Sequence, residues 1–268
     1  MDISGKNQGA KIIIAGPCVI EDYFTSAIIA EYLIRQAEKY GFELIFKGSY
    51  KKANRTSGKS FSGIDSREAL HILKSISGKY QIPVMTDVHE TTDVDLVDQY
   101  VTHLQVPAFL CRQTELIKAC AESGKPTNIK KGQFLSPEAC LHVVEKYRSF
   151  GGVGDMICER GTTFGYNELI VDATVVPRIK RLTDTKVIID CTHSLQKPNR
   201  SSGTTGGDPS LVSTLMNFAM STGADGIFVE VHPVPSSSPS DSESILEMER
   251  FGPFLHQASR IRDAYHNS

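Results

Sequence analysis

From residue 44 the chain reads Leu44-Ile45-Phe46-Lys47-Gly48-Ser49-Tyr50-Lys51-Lys52-Ala53-Asn54-Arg55-Thr56-Ser57. The apolar start predicts a buried strand, and the cationic, hydroxyl-rich remainder predicts a loop. Such a loop suits phosphate, because arginine binds it through a fork of N–H donors and lysine supplies a point charge. A solvated basic turn is the alternative interpretation, since most charge clusters only face water.

The same order of apolar run, polar end and helical pattern recurs on both sides of this stretch. One such run, Ile12-Ile13-Ile14-Ala15, stops at Gly16-Pro17, and the last helix is predicted over Ser240–Tyr265. Roughly eight such units predict an α/β protein, a single-domain (β/α)8 TIM barrel over residues 1–268. A doubly wound open sheet is the alternative, but its G-x-G-x-x-G fingerprint is missing.

Composition excludes several classes of protein. The 268 residues carry 29 Lys and Arg against 31 Asp and Glu, so the net charge of −2 argues against a nucleic-acid-binding protein. No apolar run is long enough to span a membrane, and the polar N-terminus does not resemble a signal peptide. The six cysteines form no C-x-x-C pair, which indicates reduced thiols and a cytoplasmic location.

Polar residues stand at the carboxyl ends of the predicted strands, where TIM barrels carry their active sites. Lys47, Lys130 and Arg160 are cations that would converge from the second, fifth and sixth strands. With Lys52 and Arg55 they could neutralise more than one phosphate. The sequence therefore predicts a site for small phosphorylated molecules at the barrel mouth.

A second set of strand-end residues offers one thiolate, one imidazole and two carboxylates: Cys18, His193, Glu230 and Asp241. These donors suit a borderline divalent metal such as Zn²⁺, Fe²⁺ or Mn²⁺. The alternatives are a core cysteine at position 18 and a neutral, hydrogen-bonded imidazole at position 193. No local motif such as H-E-x-x-H supports the metal site, so the hypothesis depends on the barrel bringing these strand ends together.

As a set, the strand ends resemble the 3-deoxy-D-manno-octulosonate 8-phosphate synthase family. The matching motifs extend over nearly the whole chain: Gly16-Pro17-Cys18, Lys52-Ala53-Asn54-Arg55, Thr86-Asp87-Val88-His89-Glu90, Gln105-Val106-Pro107-Ala108, Asn128-Ile129-Lys130-Lys131-Gly132-Gln133-Phe134, Glu159-Arg160-Gly161-Thr162, Thr192-His193-Ser194 and Glu230-Val231-His232-Pro233. The related seven-carbon synthase typically has Lys-Pro-Arg-Thr where this chain has Lys52-Ala53-Asn54-Arg55, which favours the eight-carbon product.

The resemblance implies condensation of phosphoenolpyruvate with D-arabinose 5-phosphate and water, with release of phosphate. It implies catalytic roles for Lys47, Lys52, Asn54, Asp87, Lys130 and His193. It implies substrate binding by Ser49, Arg55, Thr56, Gln105, Ala108, Gln133 and Arg160. Within these sets, phosphoenolpyruvate would lie among Lys47, Ser49, Ala108, Lys130, Gln133, Arg160 and His193, and the pentose phosphate would lie among Lys52, Asn54, Arg55, Thr56 and Asp87. The metal ligands would be Cys18, His193, Glu230 and Asp241.

The family also implies a homotetramer that acts on small molecules. This chain departs from the family pattern at Lys51, at Gly206-Gly207-Asp208-Pro209 and at Ser242-Glu243-Ser244. Two rival functions stay open at this point. One is a seven-carbon or sialic-acid-type synthase, and the other is a non-catalytic barrel that only binds sugar phosphates.

Overall fold

The computed structural model describes residues 11–53, 63–198, 206–240 and 243–267. This part of the chain forms eleven strands: β1 (Ile12–Gly16), β2 (Glu43–Lys47), β3 (Val84–Asp87), β4 (His103–Val106), β5 (Thr127–Lys130), β6 (Met156–Glu159), β7 (Thr162–Phe164), β8 (Glu168–Ile170), β9 (Lys186–Asp190), β10 (Gly226–His232) and β11 (Leu246–Glu247). Strands β1 to β6, β9 and β10 pair in parallel, and β1 also pairs with β10. The sheet is therefore a closed eight-stranded barrel, as the sequence predicts.

Helices follow the barrel strands and cover them on the outside: α1 (Tyr23–Tyr40), α2 (Ser66–Tyr80), α3 (Thr91–Val97), α4 (Thr114–Glu122), α5 (Cys140–Ser149), α6 (Val175–Leu182), α7 (Val212–Ser221) and α8 (Met248–His266). Local sequence fixes their ends. Asp65 caps α2 by accepting hydrogen bonds from the N–H groups of Arg67 and Glu68, both at 3.0 Å. Gly41 ends α1 with a φ of 70°, a left-handed conformation that glycine adopts without a steric penalty.

Two apolar clusters hold the barrel together. The larger lies between the strands and the helices, and it includes Ile13, Leu33, Leu70, Val229 and Leu255. The smaller is composed of strand residues alone: Ile12, Ile14, Ile45, Met85, Met156, Cys158, Ile188 and Phe228. Because side chains alternate across a strand, the smaller cluster fills the barrel interior, which is a packed core and not a pore.

Two local features differ from the sequence expectation. The hairpin of β7 and β8 was not predicted, because strands of three largely exposed residues are too short to show a hydrophobic pattern. The last helix begins at Met248 and not at Ser240, because Leu246 and Glu247 pair with β10 as strand β11. None of the helices in the described ranges is long and apolar enough to cross a membrane.

Candidate active site at the barrel mouth

Charged and polar side chains close the barrel at the carboxyl ends of its strands. They are almost fully shielded from solvent, and they come from seven of the eight barrel strands: Lys47, Asp87, Gln105, Lys130, Glu159, Asp190 and Glu230. Burying charges is costly unless they are paired. The contacts among these side chains therefore decide what the site can do.

Lys47 lies between two carboxylates. Its Nζ donates a hydrogen bond to Ser49 Oγ at 2.8 Å and lies 3.4 Å from Asp87 Oδ2 and 3.5 Å from Glu230 Oε1. The Ser49 hydroxyl in turn donates to Asp87 Oδ2, and Lys52 Nζ donates to Ser49 Oγ at 3.2 Å. The structure thus brings together four of the predicted substrate-site residues.

Asp87 is held as a carboxylate although it is buried. Burial alone would raise the pKa of the carboxyl, but the positive charges of Lys47 and Lys52 outweigh it and hold the pKa well below its usual range. Gln105 Nε2 donates to the other oxygen, Oδ1. Asp87 is therefore an ionised hydrogen-bond acceptor at neutral pH.

A second ion pair lies across the barrel. Lys130 Nζ donates to Asp190 Oδ2 at 2.5 Å and lies 3.2 Å from the centre of the Phe228 ring. Burial opposes the charge on Asp190, but His193 and Lys130 together lower the pKa of its carboxyl well below the usual range. Burial likewise opposes the charge on Lys130, yet the carboxylate of Asp190 raises the pKa of the ammonium group above its usual value.

Asp190 was not among the predicted site residues. The available signal was a carboxylate that ends the apolar run Val187-Ile188-Ile189, directly before Cys191 and Thr192. Its Oδ1 accepts from the backbone N–H groups of Thr192 at 3.0 Å and His193 at 2.8 Å. Asp190 therefore shapes the loop that carries His193.

His193 connects Asp190 to the proposed metal ligands. Its Nδ1 lies 2.9 Å from Asp190 Oδ2, and its Nε2 lies 3.5 Å from Glu230 Oε1. When Nδ1 donates to the carboxylate, Nε2 keeps a lone pair for a ligand, which is the usual arrangement of metal-binding histidines. Cys18 is fully buried, and its Sγ lies 3.1 Å from Ser240 Oγ, next to position 241 in the chain.

The described ranges contain no group of three or more His, Cys, Asp or Glu side chains that could hold a metal ion by themselves. Asp241, the fourth predicted ligand, lies outside the described residues, as do the predicted substrate residues Asn54, Arg55 and Thr56. The metal site and the pentose-phosphate loop therefore stay predictions.

The remaining predicted substrate residues lie on the far side of the mouth. Arg160 Nη2 donates to Gln196 Oε1 at 2.7 Å, which ties the end of β6 to the loop after β9. Gln133 Oε1 is buried, and within the described ranges it has no hydrogen-bond partner. Ala108 is buried and begins a short 3-10 helix, Ala108–Leu110. A buried acceptor without a donor and a buried guanidinium fit a ligand that brings its own polar groups.

A buried ion pair between Lys131 and Glu159 stabilises the loops that carry Gln133 and Arg160. Lys131 Nζ lies 3.5 Å from Glu159 Oε2 and donates to the carbonyl of Leu135 at 3.0 Å and to Thr162 Oγ1 at 3.1 Å. The pair joins the loops after β5 and β6, which carry Gln133 and Arg160.

Lys51, which departs from the family pattern, donates to Asp93 Oδ1 at 2.8 Å.

Comparison with known proteins places the chain among sugar-phosphate synthases. A family profile described as the DAHP synthetase I family matches residues 2–265. A relative from Desulfosudis oleivorans, named 2-dehydro-3-deoxyphosphooctonate aldolase, is 43% identical over 263 residues, covering 98% of this chain and 94% of that protein. Relatives with the same name from Magnetococcus marinus and Burkholderia cenocepacia are 44% and 43% identical over 249 residues, covering 93% and 91% of this chain and 86% and 87% of those proteins.

Proposed function

Because the chain belongs to the DAHP synthetase I family, we propose that it condenses phosphoenolpyruvate with D-arabinose 5-phosphate and water to give 3-deoxy-D-manno-octulosonate 8-phosphate and phosphate. The name of its relatives, 2-dehydro-3-deoxyphosphooctonate aldolase, describes an enzyme of this eight-carbon product. A seven-carbon or sialic-acid-type synthase is the alternative, and the names of these relatives favour the eight-carbon reaction.

The proposal rests on two buried ammonium groups, Lys47 and Lys130, at the carboxyl ends of β2 and β5. Each is paired with an ionised carboxylate. A barrel that only supports structure has no need for buried cations at its mouth. Two phosphorylated anions, in contrast, require positive charge that is already in place. Lys130, Arg160 and Gln133 would bind phosphoenolpyruvate, and Lys52 and Asp87 would face the pentose phosphate, with Asn54, Arg55 and Thr56 outside the described residues.

The chemistry would depend on positioning and on charge. C3 of phosphoenolpyruvate attacks the aldehyde carbon of the sugar, so a carbon–carbon bond forms and negative charge develops on the aldehyde oxygen. Water adds at the electron-poor C2 and loses a proton, the aldehyde oxygen takes up a proton, and the C2–O bond to phosphate then breaks so that C2 becomes a ketone. Side chains that are already oriented stabilise such charges without reorganisation, and the ammonium groups of Lys47 and Lys130 are held in this way by Asp87 and Asp190.

We propose a divalent metal ion, Zn²⁺, Fe²⁺ or Mn²⁺, bound by Cys18, His193, Glu230 and Asp241. The described donors fit in their chemistry, because Nδ1 of His193 contacts Asp190 while its Nε2 lies 3.5 Å from Glu230 Oε1 and is left for a ligand. A thiolate, an imidazole and carboxylates together suit these metals. When bound, the ion would act as a Lewis acid that orients water or the sugar aldehyde.

Replacing Cys18 with Asn tests the metal directly. An amide is a neutral and weak ligand compared with a thiolate, so Cys18→Asn should lose metal affinity and keep only part of the activity. Cys120→Ala is the matched control, because Cys120 is buried in α4 outside the barrel. Metal content and turnover are measured before and after chelation. A wild-type enzyme that keeps full activity with no bound metal would contradict the metal proposal.

We also propose a homotetramer in the cytoplasm. Large apolar side chains near the strand ends are exposed, with Phe109 at 61%, Phe134 at 57% and Phe164 at 65%, and such side chains suit an interface between copies. All six cysteines are buried and none forms a disulfide, which suits a reducing compartment. Light scattering tests the tetramer, and a monomeric mass at assay concentration would contradict it.

Phosphate release tests whether the chain is a catalyst or only a binding protein. The synthase should release phosphate from phosphoenolpyruvate only when arabinose 5-phosphate is also present. Release that does not need the aldose would indicate a phosphatase. No release with both substrates and added metal would leave the chain as a non-catalytic barrel.

A further inference from the structure

A chain of buried hydrogen bonds extends from the ionised Asp87 along three neighbouring strands to a residue with no assigned role. Gln105 Nε2 donates to Asp87 Oδ1, and Asn128 Nδ2 donates to Gln105 Oε1 at 2.8 Å. The three residues stand opposite one another on β3, β4 and β5, since Asp87 pairs with Gln105 and Gln105 with Asn128. All three are buried, with Asn128 at 0% exposure.

The charge on Asp87 sets the direction of every bond in this chain. A carboxylate only accepts hydrogen bonds, so Gln105 must turn its NH2 group towards Asp87. Its carbonyl oxygen then faces Asn128, which must donate. Asn128 Oδ1 is buried and has no hydrogen-bond partner within the described ranges, so the relay ends there. An aspartate at position 128 would have the same shape but no proton to donate.

We propose that Asn128 is a positioning residue that acts through Gln105 on Asp87. It holds the Gln105 amide in the one orientation that supports the carboxylate. Asp87 is then held from two directions, by Lys47, Ser49 and Lys52 on one side and by Gln105 on the other. His89 and Asp93 also lie near this cluster, where Asp93 Oδ2 is 3.6 Å from His89 Nδ1.

A swap of polarity tests the relay without any substrate. In Asn128→Asp, Gln105 must donate to the new carboxylate, and its carbonyl oxygen then meets the Asp87 carboxylate. In the double variant Asp87→Asn with Asn128→Asp, every bond can form in the reverse direction. The described hydrogen bonds join Asp87 to Asn128 only through Gln105, so coupling between the two changes reports on the relay.

Urea unfolding of the wild type, both single variants and the double variant gives the coupling. The double variant should be more stable than the two single effects predict, by at least about fivefold in the folding equilibrium. If Asn128→Asp alone does not fold, a double variant that does fold would show the same coupling, because the second change rescues the first. Additive effects, or a double variant that is worse than the sum, would overturn the proposal.

The catalytic consequence rests on the proposed function and is measured separately. Asn128→Asp should lower kcat and raise the KM for arabinose 5-phosphate about tenfold or more, with less change for phosphoenolpyruvate. The control is Asn217→Asp, which adds the same charge on the outer helix α7, where Asn217 Oδ1 accepts from Gln257. Equal changes in both KM values would mean that Asn128 has only a structural role. Positive coupling in a protein that does not turn over arabinose 5-phosphate would contradict the reaction and leave the relay intact.

Discussion

At the scale of single residues, the site depends on buried charges that hold one another. Most of these could be predicted from the sequence, because Lys47, Asp87 and Lys130 each stand at the carboxyl end of a barrel strand. Asp190 was missed because it orients His193 and Lys130, and contacts between these side chains cannot be read from their spacing in the sequence. Asn128 lies within one of the matching motifs, but its role could not be predicted, because the direction of an amide hydrogen bond depends on neighbours from other strands.

Arg160 offers the clearest residue test of the phosphoenolpyruvate side. Arg160→Ala removes a buried guanidinium, and losing a charge-assisted contact costs about 1.5–3 kcal/mol, or roughly ten- to a hundredfold in KM. The KM for phosphoenolpyruvate should rise by this factor while the KM for arabinose 5-phosphate changes little. Arg35→Ala, at an exposed helix position, is the control. An unchanged KM for phosphoenolpyruvate would remove Arg160 from the site.

His103, at the start of β4, predicts an acid-sensitive contribution to stability. Burial, aided by the charges of Lys186 and Lys125, lowers the pKa of its imidazole to about 4, against an ordinary value of 6.5. Between pH 6.5 and 4 the unfolded chain therefore binds more protons, so this contribution is lost as the pH falls.

His103→Gln should reduce the loss of stability between pH 7.5 and pH 5 by about 1–2 kcal/mol. The measurement is urea unfolding at the two pH values. His142→Gln is the control, since the His142 side chain is 80% exposed. If the two variants lose the same stability between pH 7.5 and pH 5 as the wild type, the partly buried imidazole of His103 is not responsible.

At the scale of elements, most barrel strands were predictable because each is largely apolar and is followed by polar residues and then a helical pattern. The β7–β8 hairpin and strand β11 were not, because both are short and their pairing partners decide them. Close approach between neighbouring strands is also invisible in a sequence. At Gly16, a Cβ atom would lie 2.0 Å from the carbonyl oxygen of Lys47.

The space around the Cα atom predicts opposite effects of alanine at Gly16 and at Gly78. Gly16→Ala forces β1 away from β2 and should destabilise the fold by about 1–3 kcal/mol, with a loss of activity because Lys47 moves. Gly78→Ala, in the last turn of α2 with no atom within 4 Å of the added Cβ, should stabilise by about 0.5–1 kcal/mol. Thermal unfolding compares the two, and a tolerated alanine at position 16 would contradict the strand packing.

At the scale of the whole molecule, closure of the barrel brings together residues that lie far apart in the sequence. Cys18 and Ser240 are 222 positions apart, yet their side chains are in contact. Glu230 on β10 reaches Lys47 on β2 because β1 lies between them and pairs with both strands. The fold class predicted from the sequence was enough to expect that the strand ends lie close together. The individual contacts between side chains could be seen only in the structure.

The central claim is that this barrel makes an eight-carbon sugar acid phosphate. The most direct measurement is kcat/KM for arabinose 5-phosphate and for erythrose 4-phosphate, with phosphoenolpyruvate and metal saturating and the product mass recorded. We expect the eight-carbon product and a preference for arabinose 5-phosphate of at least about tenfold, since a site built for one sugar's hydroxyls rejects another that leaves its polar groups unpaired. Equal or faster turnover of erythrose 4-phosphate to a seven-carbon product would contradict it.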